Sequence, residues 1–169
     1  ARVCTPVRER SIEIVVVGSD CEGYVTRQLE SLFGQDYDHY HVTYFEHGSS
    51  DETYARALHT ASKYPDKKEK IKVVRLEKKR NIIEALYHHI HNLDPDSLLV
   101  VLDGFAFLSH EQVLDHINCA YANPDVWMTC SRQINHPNYD QLEGADIDDQ
   151  ERGINRKQMA QLPKLSGVI

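Results

Sequence analysis

Ile12-Glu13-Ile14-Val15-Val16-Val17-Gly18-Ser19-Asp20 is the stretch that decides the fold. The β-branched run Ile12 to Val17 has the composition of a strand buried on both faces, and Gly18, Ser19 and Asp20 break it. From Tyr24 to Phe33, apolar residues at Val25, Leu29, Leu32 and Phe33 fall at a helical period, with Gly34 as the stop. His41 to Phe45 reads as a second strand. Ser49 with Glu52 predicts a capping box for a helix striped by Tyr54, Ala55, Leu58 and Ala61, ended by Pro65 and Asp66.

The same alternation continues. Ile71 to Leu76 is a third strand, and Ile82, Ile83, Leu86, Tyr87 and Ile90 mark the next amphipathic helix. Asp94-Pro95-Asp96 is a turn. Ser97 to Leu102 is the most apolar strand, which predicts a central position in the sheet. Ser109 with Gln112 suggests a second capping box, before a helix buried through Val113, Leu114, Ile117, Ala120 and Tyr121. Asn123-Pro124-Asp125 leads into a fifth strand, Val126 to Cys130, and Ile154 to Leu162 is a candidate short helix ended by Pro163. Strands alternating with helices predict an α/β, doubly wound, mostly parallel sheet with helices on both faces. Such sheets bind ligands at the carboxyl ends of their strands. Three loops are therefore the candidate site: Gly18 to Glu22, Glu46 to Asp51 and Asp103 to Phe107.

With 169 residues, 41 % apolar and 27 % charged, the chain has the size and composition of one globular domain. No apolar run approaches the ~18 residues of a membrane span, and no signal-peptide core follows the arginines near the N-terminus. The net charge of −7 argues against nucleic acid as a partner. Charge is uneven, with eight Lys or Arg against three Asp or Glu over Asp66 to Arg80, and six acidic residues against one Arg over Tyr139 to Arg152. The basic stretch is a solvated face or a phosphate-steering patch. Cys4, Cys21, Cys119 and Cys130 form no C-x-x-C pair, which predicts free thiols and a reducing, cytoplasmic compartment. His39, His41, His88, His89 and His91 read as exposed polar residues rather than a metal site. Glycine-rich dinucleotide, P-loop and G-x-S-x-G motifs are absent.

The local signatures resemble glycosyltransferase family 2, the GT-A fold. Leu29, Ser31, Gln35 and Tyr37 match an L-x-S-x-x-x-Q-x-Y pattern on the first helix. Glu46-His47-Gly48-Ser49-Ser50-Asp51-Glu52-Thr53 stands where the family has D-D-G-S-T-D-x-T. Asp103-Gly104-Phe105-Ala106 stands where the family has its D-x-D or D-G-D-D stretch. The resemblance spans Ser11 to Arg132 and implies a Rossmann-like nucleotide-binding half domain. Residues 1–10 are then an N-terminal extension, 11–132 the GT-A-like domain, and 133–169 an irregular C-terminal segment of that domain.

What the resemblance implies for the site is a nucleotide diphosphate sugar, such as a UDP-sugar, with Glu46, Asp103, Asp20 and Asn81 as nucleotide-binding residues. Asp103 is the one implied metal ligand, and Mn²⁺ or Mg²⁺ the cofactor of an active enzyme. The departures fall on the chemistry. His47 replaces the second acid of the first pair. Phe105 and Ala106 stand in place of acids, and a phenylalanine has no oxygen for a hard cation. Phe105-Ala106-Phe107 is thus an apolar replacement of the metal loop, either folded inward or exposed as an apolar-ligand or partner site. Asp140, Glu143, Asp146, Asp148 and Asp149 are either a solvated loop or hold the general base. Lys79 or Arg80 would assist with phosphate. Two readings follow: a sugar transferase impaired in metal-dependent catalysis, or an inactive pseudoenzyme or redesigned domain that serves as a binding scaffold, with a protein partner.

Overall fold

The computed structural model describes residues 8–77, 81–130 and 152–155. In chain order these form β1 (Ile12–Gly18), α1 (Glu22–Phe33), β2 (Tyr40–His47), α2 (Thr53–Ser62), a 3₁₀ turn (Pro65–Lys70), β3 (Ile71–Leu76), α3 (Ile82–His91), β4 (Leu98–Asp103), α4 (Val113–Ala120), β5 (Val126–Cys130) and β6 (Arg152–Asn155). They divide into two compact units, one of residues 8–116 and one containing the described residues from Ile117 onward.

The first unit is built on a four-stranded sheet in the order β3-β2-β1-β4, all neighbours parallel. The order reverses between β1 and β4, which makes that crevice the switch point of the sheet. Alternation along the strands divides the two faces. Phe45 and Val15 pack with Leu76 against Ile82, Ala85 and Leu86 of α3. On the opposite face Tyr44 lies with its hydroxyl 3.4 Å from Cys21 Sγ, at the start of α1. Ile12, Ile14, Val16, Val42 and Tyr44 of that face are buried, as are Val25, Leu29 and Leu32 of α1. Helices therefore cover both faces, as the periodicity predicts.

Three expectations are corrected. Among the described residues β4 lies at the edge of its sheet, not its centre, and Leu99 and Val101 are exposed, Val101 by 59 %. Apolar content measures how much a strand would gain from burial and carries no record of which neighbours supply it. β5 does not extend the parallel sheet; it pairs antiparallel with β6 in a second, two-stranded sheet. Ile154 and Asn155, read from sequence as the start of a helix, belong to β6.

The cysteines also differ from expectation. Cys119 is disulfide-bonded, whereas Cys21 is free and buried. No helix among the described residues is long and apolar enough to cross a membrane. On the α3 face, the buried Glu13 carboxylate accepts hydrogen bonds from Thr43 Oγ1 (2.7 Å) and pairs with His89 Nε2 at 2.8 Å. His89 is thus a tie between α3 and the sheet, not a solvated residue.

Candidate functional site

The loops that follow β1 and β2 lock each other at the carboxyl rim. Asp20 adopts a left-handed backbone at φ 48°, a conformation Asp tolerates better than most side chains. Its Oδ1 accepts from Ser50 N (2.7 Å) and Ser50 Oγ (2.9 Å), while its own N–H donates to Ser49 Oγ (3.1 Å). Ser19 Oγ donates to the His47 carbonyl at 3.1 Å. The Ser50 backbone and hydroxyl bonds hold the Asp20 carboxyl below the usual carboxylate range. Asp20 is therefore committed to its neighbours, even though it is exposed.

Two helix starts are capped in exchange. Asp51 Oδ2 accepts from Glu22 N (3.1 Å), and Glu22 Oε2 accepts from Glu52 N (2.9 Å). Asp51 Oδ1 accepts from Thr53 N (3.0 Å) and Thr53 Oγ1 (2.6 Å), and Thr53 Oγ1 accepts from Cys21 N (2.9 Å). Desolvation pushes the Asp51 carboxyl upward, but the bonds from Thr53 and Glu22 outweigh it and leave the group lowered. The predicted Ser49–Glu52 capping box does not form. α2 begins later, and Ser49 turns to Asp20 and Glu46 instead. The second predicted box fails likewise, since Gln112 N–H bonds to His110 Nδ1.

Glu46, the penultimate residue of β2, lies across from Gly18 and is fully buried. Its Oε1 accepts from Ser49 N at 2.6 Å. Its Oε2 lies 3.3 Å from Arg75 Nε yet receives no aligned hydrogen bond. Charge is compensated there while a directed donor is missing, and a buried acceptor in that condition is unusual. Arg75 extends over the Tyr54 ring, 4.8 Å from its centroid. Sequence reading missed Arg75 because it lay in a basic stretch taken whole. The parallel register, which places Arg75 across from Glu46, is what singles it out.

Asp103 ends β4 across from Val17. Glu46 and Asp103 thus flank β1 at one rim, their backbones about 10 Å apart across the sheet by strand spacing. Asp103 is exposed, and its Oδ1 accepts from Phe105 N (2.9 Å) and Ala106 N (2.8 Å). Gln28, buried in α1, donates through Nε2 to the carbonyls of Asp103 (2.7 Å) and Ala106 (2.5 Å). The last turns of α1 and the residues just after it hold the chain beyond. Ser31 Oγ accepts from Leu108 N (3.1 Å), Gln35 Nε2 donates to the His110 carbonyl (2.7 Å), and Gln35 Oε1 accepts from Leu114 N (3.1 Å). Ser31 and Gln35, two residues of the helix pattern noted in the sequence, are therefore clamps on the β4–α4 connection. Tyr37 donates to the Arg10 carbonyl at 2.7 Å, and burial pushes its phenol up to about 12.

A divalent cation does not fit this donor set. Asp103 supplies one carboxylate, already bonded through Oδ1, and Phe105 and Ala106 supply no side-chain oxygen. Among the described residues no cluster of three His, Cys, Asp or Glu has metal-holding geometry. Phe105 is 53 % exposed, so the loop does not fold into the core. Asn81 caps α3, its side chain accepting from Ile83 N at 2.9 Å. Lys79, Arg80 and the acidic positions Asp140, Glu143, Asp146, Asp148 and Asp149 lie outside the described residues.

The family model for glycosyl transferase family 2 matches residues 11–167. No curated protein matches the sequence. Among solved structures, the mannosyltransferase PcManGT from Pyrobaculum calidifontis, in complex with GDP-Man and Mn²⁺, is similar with a TM-score of 0.59 and 18 % identity, over 80 % of this chain and 39 % of that one. TarS 1-349 of S. aureus is similar in complex with UDP-GlcNAc (TM-score 0.56, 19 % identity, 75 % of this chain and 36 % of that one). In complex with UDP it gives a TM-score of 0.55 at 23 % identity, over 75 % of this chain and 37 % of that one. These likenesses show a shared fold, and the chain spans less than two fifths of each of those structures.

Proposed function

The chain belongs to glycosyl transferase family 2, and on that premise we propose that its carboxyl rim binds a nucleotide diphosphate sugar. Glu46 takes the nucleobase and Asp103 the ribose. Asp20 and Asn81 serve by holding the bordering loops, since their side-chain oxygens are already bonded to Ser50 and Ile83. Lys79 or Arg80 assists with phosphate. The observation that supports the reading is the placement of two carboxylates, Glu46 and Asp103, at the carboxyl rim on the two strands that flank β1, next to the switch point between β1 and β4. A ring N–H of a nucleobase, N3–H of uracil or N1–H of guanine, is the kind of donor the Glu46 carboxylate would take, and UDP-sugars and GDP-sugars are separated by the titration.

In an active relative a divalent cation would neutralise the diphosphate leaving group, and the oxygens at 103–106 do not suit one. We read the domain as impaired in metal-dependent catalysis. A binding scaffold that lost transfer is the second reading, favoured by the exposed Phe105 at the metal-loop position. A cytoplasmic location belongs to the proposal too. The disulfide at Cys119 weighs against it, and thiol labelling of protein from its native source would decide.

Isothermal titration with UDP, UDP-GlcNAc, GDP and GDP-Man, with and without Mn²⁺, tests the whole reading. The expected result is nucleotide binding that Mn²⁺ leaves unchanged, weakened about 10- to 150-fold by Glu46→Gln, as for loss of a charged hydrogen bond. No heat from any nucleotide at millimolar concentration refutes the nucleotide site. Binding that requires Mn²⁺ refutes the impaired metal loop.

A further inference from the structure

The rim carries a second feature that the nucleotide reading does not use. Tyr24 and Phe105 meet edge to face, ring centroids 5.3 Å apart and planes at 77°. Both are exposed, Tyr24 by 43 % and Phe105 by 53 %. Exposed aromatic rings are ordinarily free to turn, but this pair stands on a fixed support. Asp103 Oδ1 holds the amides of Phe105 and Ala106, and Gln28 Nε2 holds the carbonyls of Asp103 and Ala106 from below. One residue beyond Ala106, Phe107 lies under the Arg27 guanidinium, 4.2 Å from the ring centroid. Tyr24, Arg27 and Gln28 share one side of α1, three and four residues apart, and all reach the 103–107 loop.

We propose that Tyr24 and Phe105 form a stacking corner for a pyranose ring, at the position where the family pattern has a cation ligand. The inference rests on the reading of this rim as the sugar-handling one. The chemistry of the corner selects the ligand. A pyranose is amphipathic: its axial C–H groups form an apolar face, and its hydroxyls project from the edge. An aromatic face attracts the first through dispersion and the ring quadrupole. Asp103 on one side offers acceptors to hydroxyls, and Arg27 brings positive charge on the other. An acyl chain or a broad protein surface would require a wider apolar area than two rings between charges. Two rings set nearly perpendicular also leave no parallel slot for a flat base.

The test is an NMR titration of the full chain with ¹³C-labelled aromatic residues. Methyl α-D-mannopyranoside, methyl α-D-glucopyranoside and N-acetylglucosamine are added up to tens of millimolar, and UDP and GDP are titrated separately. The expected result is a saturable shift of the Tyr24 and Phe105 ring signals with at least one sugar. Phe105→Ala should weaken it by about tenfold or more, and Phe105→Trp should retain it. Amide spectra of each variant establish that the fold is kept. Since Phe105 is half exposed, its loss leaves the core untouched, and Tyr24→Ala gives an independent second variant.

The two readings fail separately. Nucleotides that bind while no sugar moves the two rings overturn the stacking corner and leave the nucleotide site standing. Sugars that bind while nucleotides do not support the corner and end the nucleotide reading. Ring shifts caused by UDP or GDP alone would make the pair a base stack and overturn the proposal.

Discussion

Gly104→Ala is the sharpest probe of how the rim is built. Gly104 follows Asp103 at the end of β4, where three segments converge. A methyl placed there would lie 2.6 Å from Cys21 Sγ, 2.8 Å from Gly18 Cα and 3.3 Å from the Val17 carbonyl. Two of these contacts are shorter than carbon atoms tolerate. One is with the backbone of the central strand, which cannot shift without disturbing its pairing to β2. The other is with a buried thiol held beside the Tyr44 hydroxyl. Overpacking of this kind costs about 1–3 kcal/mol, and the backbone contact places the expectation near the upper end, at about 2–3 kcal/mol. With a urea slope of ~2 kcal/mol/M, the midpoint falls by roughly 1 M. Cys21→Ala removes the nearest obstacle but not the second. In that background the same substitution should therefore cost about 1 kcal/mol less, a coupling between touching sites. Gly23→Ala is the internal control: nothing lies within 4 Å of its added methyl, and it sits in the first turn of α1. It should stabilise by about 0.4–1 kcal/mol. A cost below ~0.5 kcal/mol for Gly104→Ala, or an equal cost with and without the thiol, would refute this account of the β1–β4 junction.

Three further outcomes follow from the same geometry. His89→Ala strips the buried Glu13 carboxylate of one of its two partners and should destabilise the domain by about 1–3 kcal/mol, measured by urea unfolding; the conservative His89→Gln should restore part of the loss. Asp20 and Asp51 both have carboxyls lowered by hydrogen bonds in the folded state, so their contribution is present above the unfolded value near 3.9 and disappears as pH falls through the lower folded values. Amide exchange in residues 18–22 and 47–53 should therefore rise below about pH 4 before the core opens, and Asp51→Asn should remove most of that dependence. Gln28→Ala should release the 103–107 loop, raising exchange at Phe105 and Ala106 while β1 and β2 stay protected; equal protection at all of these amides would mean that Gln28 does not hold the loop.

The parts of this fold that were legible in sequence are those set by local pattern. The β-branched runs of β1 and β3, the helical stripe of α1 and its stop at Gly34 all appear where periodicity puts them. What failed was set by partners. The edge position of β4 depends on which strands lie beside it, and its five apolar residues are compatible with either place. β5 has strand composition, but pairing direction is not written in one strand. Ser49 and Glu52 have capping-box spacing, yet Asp20 and Glu22, some 30 residues away in sequence, take their places. Arg75 is one of many basic residues until the register sets it across from Glu46. Phe105 was equally compatible with burial and exposure, and the choice depends on Gln28 and Tyr24, which the sequence places in another element.

A division runs through the family signature itself. Ser31, Gln35, Tyr37, Asp51 and Thr53 all bond to backbone groups of other segments. A backbone partner is present whatever side chain stands at that position, so these residues answer to the fold, and the chain has them. Phe105 and Ala106 enter the loop's hydrogen bonds only through their backbone groups. In this chain the loop is held by Gln28 and by the Asp103 carboxylate, and Phe105 reaches solvent beside Tyr24. The five signature residues, by contrast, are required by the fold whatever chemistry the rim performs. The segments that place this chain in its family are thus the ones that hold the fold together, and they carry little information about the ligand of the rim.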